Sequence, residues 1–205
     1  MNQSKKFYET WGGKRYEKYF FSFWFTRKHE ILTSVITFGN DHPTVLDVGS
    51  GPGQLLERIR EKFPASKLAA LDISSAMIER VKEKLPDADA QVGTAEVLPW
   101  ADDTFDIVTN SISFHHYHSP LKALQEVYRV LKPGGKFYLM DINPNTSLAR
   151  FLYNVIGIVA RDGHVTFYTK GEIYSTFEGA GFMNVQQIQA GPLVRVVITV
   201  GEKQI

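Results

Sequence analysis

The sequence of 205 residues lacks cysteine altogether. This absence excludes disulfide bonds, thiolate metal sites and cysteine-ligated iron–sulfur clusters, and it is consistent with a reducing cytoplasm. The chain has no stretch approaching the roughly 18 apolar residues of a membrane-spanning helix, and its start, MNQSKKFYET, has no apolar run typical of a signal peptide. The net charge is only +1, which gives no reason to expect nucleic acid as a partner. We therefore expect a cytoplasmic protein.

Aromatic residues are in excess near the start of the chain. Residues 7–25 contain ten of the 26 aromatic residues, and residues 1–40 carry seven Lys and Arg against three Asp and Glu. We expect residues 1–40 to form a helical cap on the rest of the chain. These aromatic residues could pack as the core of the cap or face a cationic ligand. Because aromatic residues flanked by basic ones are also the composition of an interfacial helix, peripheral membrane contact is a third possibility.

From residue 44 onwards, β-rich apolar runs alternate with amphipathic helical patterns. Strand-like runs lie at 44–49, 67–73, 88–92, 105–112 and 136–142, and helical patterns lie at 52–63, 74–85 and 119–131, the last bearing Leu131. Strands that alternate with helices predict parallel pairing and right-handed crossovers.

The C-terminal end breaks this alternation. Residues 184–189 are mostly polar, whereas residues 193–200 form a nearly continuous β-branched apolar run after the turn signal Gly191-Pro192. The apolar run needs both faces covered, so we expect it inside the sheet, antiparallel to the polar edge strand before it. The fold class is therefore α/β, with a seven-stranded sheet that is parallel except for its last strand.

The length is typical of one domain, over residues 1–205. Within it we expect the cap at 1–40, a cofactor-binding core at 43–142, a substrate-side lid at 143–169, and a C-terminal helix with a β-hairpin at 170–205.

The first strand is followed by Gly49-Ser50-Gly51-Pro52-Gly53, a GxGxG loop. Glycines are needed where a ligand lies so close to the chain that a Cβ would collide with it, and a tight surface turn is the plain alternative. Gln54 stands where a dinucleotide loop has its third glycine, and no Gly-Lys-Ser/Thr follows as in a phosphate loop. The loop therefore suits a nucleoside without a pyrophosphate.

Three further segments follow the next strands. Asp72 ends the second strand, where a carboxylate can accept hydrogen bonds from both ribose hydroxyls; the alternative is that it caps the helix beginning near Ser74. Gly93-Thr94-Ala95-Glu96 leaves the third strand, near where an adenine would lie, and Asn110 ends the fourth.

Four motifs occur in a fixed order: VLDVGSGPG at 45–53, LDIS at 71–74, LPWADDTFDIV at 98–108 and RVLKPGGKF at 129–137. Over about residues 43–200 the chain thereby resembles the class I S-adenosylmethionine-dependent methyltransferases, most of all the type 11 group that includes ubiquinone and menaquinone biosynthesis methyltransferases. The resemblance implies a Rossmann-like three-layer sandwich with strand order 3-2-1-4-5-7-6. It also implies S-adenosyl-L-methionine as cofactor and S-adenosyl-L-homocysteine as product.

The resemblance further implies which residues surround the cofactor. They are Asp47, Gly49, Ser50, Gly51, Gly53, Asp72, Ile73, Met77, Thr94, Ala95, Glu96 and Asn110, with Trp11 and Tyr16 from the cofactor-closing segment. In this set the glycines pass the methionyl part, Asp72 holds the ribose, and Asp47 supports the loop or the cofactor's amino group. Ile73 and Met77 flank the adenine, and Ala95 offers backbone to its edge. Family members often have Asp in place of Thr94, so Glu96 is the expected substitute.

His115 and His116 follow the fourth strand and are candidate catalytic residues, because imidazole titrates near pH 6.5, at about neutrality. A general base is needed only for an acceptor that is protonated at neutral pH. The alternative is packing, for which related sequences commonly carry such a pair. We expect no metal site, since His115, His116 and His118 point in different directions and lack a nearby acidic ligand.

The segment Asn110-Ser111-Ile112-Ser113 excludes some classes of methyl acceptor. It lacks the Asn/Asp-Pro-Pro-aromatic element that related families use on base amines or glutamine amides, and it lacks the Asp that accompanies magnesium-dependent catechol methylation. The apolar residues of 148–159, facing the aromatic N-terminal segment, predict an apolar pocket. We therefore expect a small apolar or aromatic organic acceptor.

Two alternatives remain at this point. One is a non-catalytic or partner-dependent S-adenosylmethionine-binding protein, because methyl transfer requires no single diagnostic catalytic residue. The other is an NAD-dependent dehydrogenase, against which Gln54 and the missing third glycine count. The sequence leaves open the identity of the acceptor, the atom that is methylated and the oligomeric state.

Overall fold

A computed structural model describes residues 21–39, 42–144, 151, 165–190 and 196–205. In these ranges the helices are α1 (Phe21–Val35), α2 (Gln54–Lys62), α3 (Ser75–Lys84), α4 (Pro120–Val130) and α5 (Lys170–Gly179). The strands are β1 (Thr44–Val48), β2 (Lys67–Asp72), β3 (Asp89–Val92), β4 (Phe105–Ser111), β5 (Leu131–Ile142), β6 (Met183–Ala190) and β7 (Val196–Glu202). A 3-10 turn, Phe114–His116, follows β4.

The strand order is β3-β2-β1-β4-β5-β7-β6, which confirms the sequence prediction. The first five strands pair in parallel, and β7 is antiparallel to both β5 and β6. The burial of the last two strands explains their placement. Strand β7 is almost entirely buried, whereas β6 is mostly exposed along its length, so the apolar strand lies inside and the polar strand forms the edge.

Alternation of side chains along each strand produces two separate cores. On one face, Val45 and Ile107 pack with buried residues of α1, α2 and α3. On the opposite face, Leu46 and Val108 pack with residues of α4 and α5. The sheet is therefore the middle of three layers, as expected.

One boundary prediction is wrong. Leu131, expected on the helix, is the first residue of β5 and pairs with Phe105. The register then moves to Ile107 and Lys136, so the chain between Leu131 and Lys136 forms an irregularity within the strand. Because a residue before proline is disfavoured in the helical conformation, the helix ends ahead of Lys132-Pro133 and the strand begins early.

Candidate functional site

A cavity lies at the carboxyl ends of β1, β2 and β4, beside the exit of β3. It encloses about 1130 Å³ of space, its open mouth included. In the strand order, β1 and β4 are the neighbours from which the winding proceeds in opposite directions. Open α/β sheets bind ligands at such a switch point.

The glycine loop forms the floor of this cavity, and its first two glycines are required for different reasons. A Cβ on Gly49 would collide with the side chain of Ser113, coming within 2.8 Å of its Cβ. A Cβ on Gly51 would meet nothing within 4 Å, yet this residue has φ of +52° and lines the cavity. Gly49 thus permits close packing of two strand ends, whereas Gly51 leaves open a space that a side chain would fill.

Asp72 connects three segments around the cavity. One of its carboxylate oxygens accepts a hydrogen bond from the backbone N–H of Gly51 at 2.8 Å, and the other accepts one from Ser74 at 2.9 Å. Its backbone carbonyl accepts a third from the N–H of Gly93 at 3.0 Å. Burial raises the pKa of this carboxyl, and the hydrogen bonds from the backbone partly offset that effect. The N-cap residue of α3 is Ser74, so Asp72 orders the glycine loop as well as the helix start.

Asp47 is almost fully buried beneath the loop and also lines the cavity. Its carboxylate accepts a hydrogen bond from the hydroxyl of Thr109 at 2.8 Å. Burial raises the pKa of Asp47 to about 7, and the negative charge of Asp72 acts in the same direction. The hydrogen bond from Thr109 lowers this pKa and offsets part of the effect. A cationic group in the cavity would therefore find a partner here whose charge depends on pH near neutrality.

The exits of β2 and β3 supply the other predicted cofactor residues. Ser50, Ile73, Met77, Thr94, Ala95 and Glu96 all line the cavity. The carboxylate of Glu96 accepts hydrogen bonds from the backbone N–H groups of His118 and Ser119, at 3.2 and 3.3 Å. Glu96 therefore also fixes the segment that leads into α4.

Asn110 and Gly53 are not among the residues that line the cavity. The Asn110 side chain is buried on the α4–α5 side, where its Nδ2 lies 2.6 Å from the carbonyl oxygen of Val48 and 2.7 Å from Ser113 Oγ. Asn110 thus ties the end of β4 to the end of β1. Its neighbours Ser111, Ile112 and Ser113 reach the cavity instead.

The two predicted catalytic histidines have different surroundings. His115 is buried, with Nδ1 2.8 Å from a carboxylate oxygen of Asp141, and its ring stacks on Phe167 at a centroid distance of 4.9 Å. His116 lies against the His115 ring, at 4.2 Å between centroids, and lines the cavity. Only His116 of the two is therefore placed beside a ligand in the cavity.

His29 is a cavity residue that sequence reasoning missed. It lies on α1, 8% exposed, with Nε2 3.0 Å from Ser111 Oγ. Burial and the nearby positive charge of Arg58 lower the pKa of His29 to about 4. Nothing in the sequence marks this histidine, because its position depends on how α1 docks.

Tyr117 was also not assigned a role. It lines the cavity, and its hydroxyl lies 3.3 Å from the carbonyl oxygen of Val48. Burial raises the pKa of this hydroxyl, so Tyr117 stays protonated.

Several sequence predictions fall outside the described residues. They concern Trp11, Tyr16 and the apolar segment 148–159. Among the described residues, no group of three or more His, Asp or Glu is arranged to hold a metal ion. None of the helices described here is both long enough and apolar enough to cross a membrane.

The sheet order and the cavity at its switch point define a Rossmann-like α/β protein with a candidate ligand site at the strand ends. Residues 46–139 match the family model described as a methyltransferase domain, of the type 11 group. Residues 46–139 therefore carry a methyltransferase domain, and the chain is similar to class I S-adenosylmethionine-dependent methyltransferases.

Individual relatives agree with this assignment. The chain is 31% identical to the biotin biosynthesis bifunctional protein BioHC of Teredinibacter turnerae, over 78% of this chain but only 30% of that protein. It is 26% identical to the ubiquinone/menaquinone biosynthesis C-methyltransferase UbiE of Geotalea daltonii, over 86% of this chain and 92% of that protein. The fold matches a chain from the complex between the Haloferax volcanii Trm112 methyltransferase activator and a methyltransferase. That match has a TM-score of 0.79 and 21% identity, and covers 97% of this chain and 98% of the other.

Proposed function

We propose that this protein transfers the methyl group of S-adenosylmethionine to a small organic acceptor with an apolar or aromatic body. The observation that carries the proposal is the hydrogen bond from the backbone N–H of Gly51 to the Asp72 carboxylate. The carboxylate fixes the loop from one side, and the glycine leaves open the space above it. This arrangement suits a ribose at β2 and an extended tail along the loop.

The residues present fit this cofactor. Asp72 would hold the ribose, with Ile73 and Met77 beside the adenine. Gly49 and Gly51 would pass the methionyl part, whose ammonium group would be attracted to the Asp47 carboxylate. When bound, S-adenosylmethionine supplies a methyl group on a positively charged sulfur.

The chain's own contribution to such a reaction is orientation and exclusion of water, which can lower a barrier by several kcal/mol. In such a transfer a lone pair of the acceptor would take up the methyl group, and S-adenosylhomocysteine would leave with the electron pair of the broken carbon–sulfur bond. An acceptor that carries a proton must also lose it. His116 stays the predicted group for that transfer, since it lines the cavity near β4.

The test is to incubate the full chain with methyl-labelled S-adenosylmethionine and a crude cell extract. Label is then counted in organic-soluble, small polar, protein and nucleic-acid fractions. We expect label in the organic-soluble fraction. Label confined to protein or nucleic acid would contradict the proposed acceptor class, and binding of S-adenosylhomocysteine, measured separately, tests the cofactor assignment.

A second candidate is a methyltransferase that is active only with a partner protein. It is favoured by the fold match to a chain from a complex that contains a methyltransferase activator. Such a protein would bind S-adenosylhomocysteine, yet it would transfer no label alone and would transfer label after a cell lysate fraction is added. Transfer by the purified chain alone would rule it out.

Peripheral membrane contact through the aromatic and basic residues before position 29 is the remaining proposal on partners. Co-sedimentation with vesicles that contain anionic lipid tests it. Binding that persists after Lys14, Arg15 and Lys18 are changed to Gln would contradict an electrostatic contribution from these residues.

A further inference from the structure

The cavity has two chemically different ends. Its carboxylates, Asp47, Asp72 and Glu96, belong to β1, β2 and the exit of β3. The end at β4 has instead a polar pair made of His29 and Ser111, with 3.0 Å between Nε2 and Oγ. Neighbouring strands lie about 4.8 Å apart, and β1 separates β2 from β4, so the pair lies roughly 10 Å from the Asp72 end.

The fold places this pair on one side of the sheet. Ile107 and Thr109 face the α1–α3 layer, and alternation along β4 carries Ser111 to the same face. His29 comes from α1, which packs on that face through Leu32, and Ile36 directly after the helix packs there too. The pair therefore closes the β4 end of the cavity on the side where α1 docks.

The pair also has hydrogen-bonding capacity directed at a ligand. A serine hydroxyl has one donor and two acceptor positions, and the bond to His29 occupies one of them. With its pKa near 4, His29 is neutral at physiological pH, so the pair carries no charge. A neutral group that both donates and accepts is matched by a ligand group that does the same, and a hydroxyl is the smallest such group on an apolar or aromatic body. A carboxylate has no donor, and an ammonium group has no acceptor.

We propose that His29 and Ser111 bind and orient a neutral hydroxyl group on the methyl acceptor, which makes the acceptor a phenol or a related hydroxylated apolar compound. This proposal rests on the proposed function, because it takes the β4 end of the cavity as the acceptor's place. Both residues are positioning residues here, and the proton of the hydroxyl is left to another group.

The first experiment uses binding alone. The full chain, labelled with nitrogen-15 at histidine and saturated with S-adenosylhomocysteine, is titrated with phenol and, separately, with its methyl ether anisole. Phenol should shift the imidazole nitrogen signals of His29 at least about threefold more than anisole at equal concentration, because only phenol can donate a hydrogen bond. Equal shifts, or no shift with either compound, would overturn the proposal.

Two serine variants test whether the response to phenol depends on Ser111 itself. Ser111→Ala should abolish the difference between phenol and anisole. Ser34→Ala is the matched control, since this exposed α1 serine bonds only to the Ile31 carbonyl among the described contacts and should respond as the wild type does. A full response in Ser111→Ala would overturn the proposal.

The activity assay gives a second reading. Ser111→Ala and His29→Leu should each lower label transfer at least about tenfold at limiting acceptor, with affinity for S-adenosylhomocysteine within about twofold of the wild type. Unchanged transfer would count against the pair. If the wild type transfers no label, the proposed function fails while the phenol titration still decides the inference; if S-adenosylhomocysteine does not bind, the titration is made without it.

Discussion

The two ends of the cavity are built in different ways. At the β1–β2 end, backbone N–H groups, one open glycine and the Asp72 carboxylate lie within a short stretch of the chain, residues 49–74. At the β4 end the important contacts join residues far apart in sequence. His29 contacts Ser111, 82 positions away, and behind the cavity wall His115 contacts Asp141, 26 positions away.

This difference has a physical consequence. The β1–β2 end depends on local backbone conformation, which one or two residue types can enforce. The β4 end depends on the docking of α1 and on a buried carboxylate, so it forms only when the whole fold is in place. We therefore expect substitutions at the first end to change cofactor affinity, and substitutions at the second to change acceptor use or stability.

The largest effect is expected for Asp72→Ala. It removes the acceptor of two backbone hydrogen bonds and, in the proposed complex, the partner of the ribose. Affinity for S-adenosylhomocysteine should fall about 100-fold, equivalent to about 3 kcal/mol, as measured by isothermal titration calorimetry.

The matched control is Asp87→Ala, which removes an exposed carboxylate paired with Arg60 at 2.8 Å. A surface pair of this kind contributes at most about 1 kcal/mol to stability. Asp87 does not line the cavity, so cofactor affinity should not change. Cofactor affinity in Asp72→Ala equal to that of the control would show that the ribose assignment is wrong.

The next effect concerns the opposite end. Asp141 is buried and accepts hydrogen bonds from the backbone N–H groups of His115 and Ile142, as well as facing the His115 ring. Asp141→Ala leaves these donors unpaired, so the free energy of unfolding should fall by about 2–3 kcal/mol, with little change in cofactor affinity. Urea denaturation and calorimetry measure the two quantities. Normal stability together with lost methyl transfer would instead favour a direct catalytic role for His115.

The glycine loop and the positions of the last two strands could be predicted because they follow from patterns that are local in sequence, whereas the full strand order was implied by the resemblance to methyltransferases. The polar composition of β6 indicates an edge strand, and the apolar composition of β7 indicates an interior strand. Asp72 could be identified because it ends the strand that follows the glycine loop. His29 could not be predicted, since only the docking of α1 brings it to Ser111. The early start of β5 was not predicted because Pro133-Gly134-Gly135 is typical of a break between a helix and a strand. In the structure, β5 pairs with β4 on both sides of this segment.

A third prediction uses the pKa of Asp47, which is about 7 in the folded protein against 3.8 when unperturbed. Between these values the unfolded chain has lost the proton and the folded chain retains it. The unfolding free energy therefore falls as pH rises through this window. The loss of stability reaches its full size above pH 7, where Asp47 is ionised in the folded protein as well. Asp47→Asn removes the ionisation, so it should raise the unfolding free energy of the free protein at pH 8 and change it little below pH 4.

The same substitution should weaken binding of S-adenosylmethionine at pH 8, where the wild-type carboxylate is charged. In the wild type, affinity should fall by up to about tenfold per pH unit below pH 7, and the variant should lack that dependence. Urea denaturation across pH 3–8 tests the stability statement, and calorimetry across pH 5–8 tests the binding statement. A variant with the wild-type pH profile would show that Asp47 does not meet the cofactor's charge.

The smallest effect compares two glycines that both have open space around them. A Cβ on Gly51 or on Gly171 would meet nothing within 4 Å, but only Gly51 has a positive φ, of +52°. Gly51→Ala should cost about 1 kcal/mol of unfolding free energy, because L-residues are strained in this conformation. Gly171→Ala, in the first turn of α5, should be neutral or stabilising by about 0.5 kcal/mol.

Only Gly51→Ala should also weaken binding of S-adenosylhomocysteine, since its methyl group takes the space proposed for the cofactor. Equal binding by both variants would mean that the cofactor does not lie over the loop, and would leave backbone strain as the reason for the glycine.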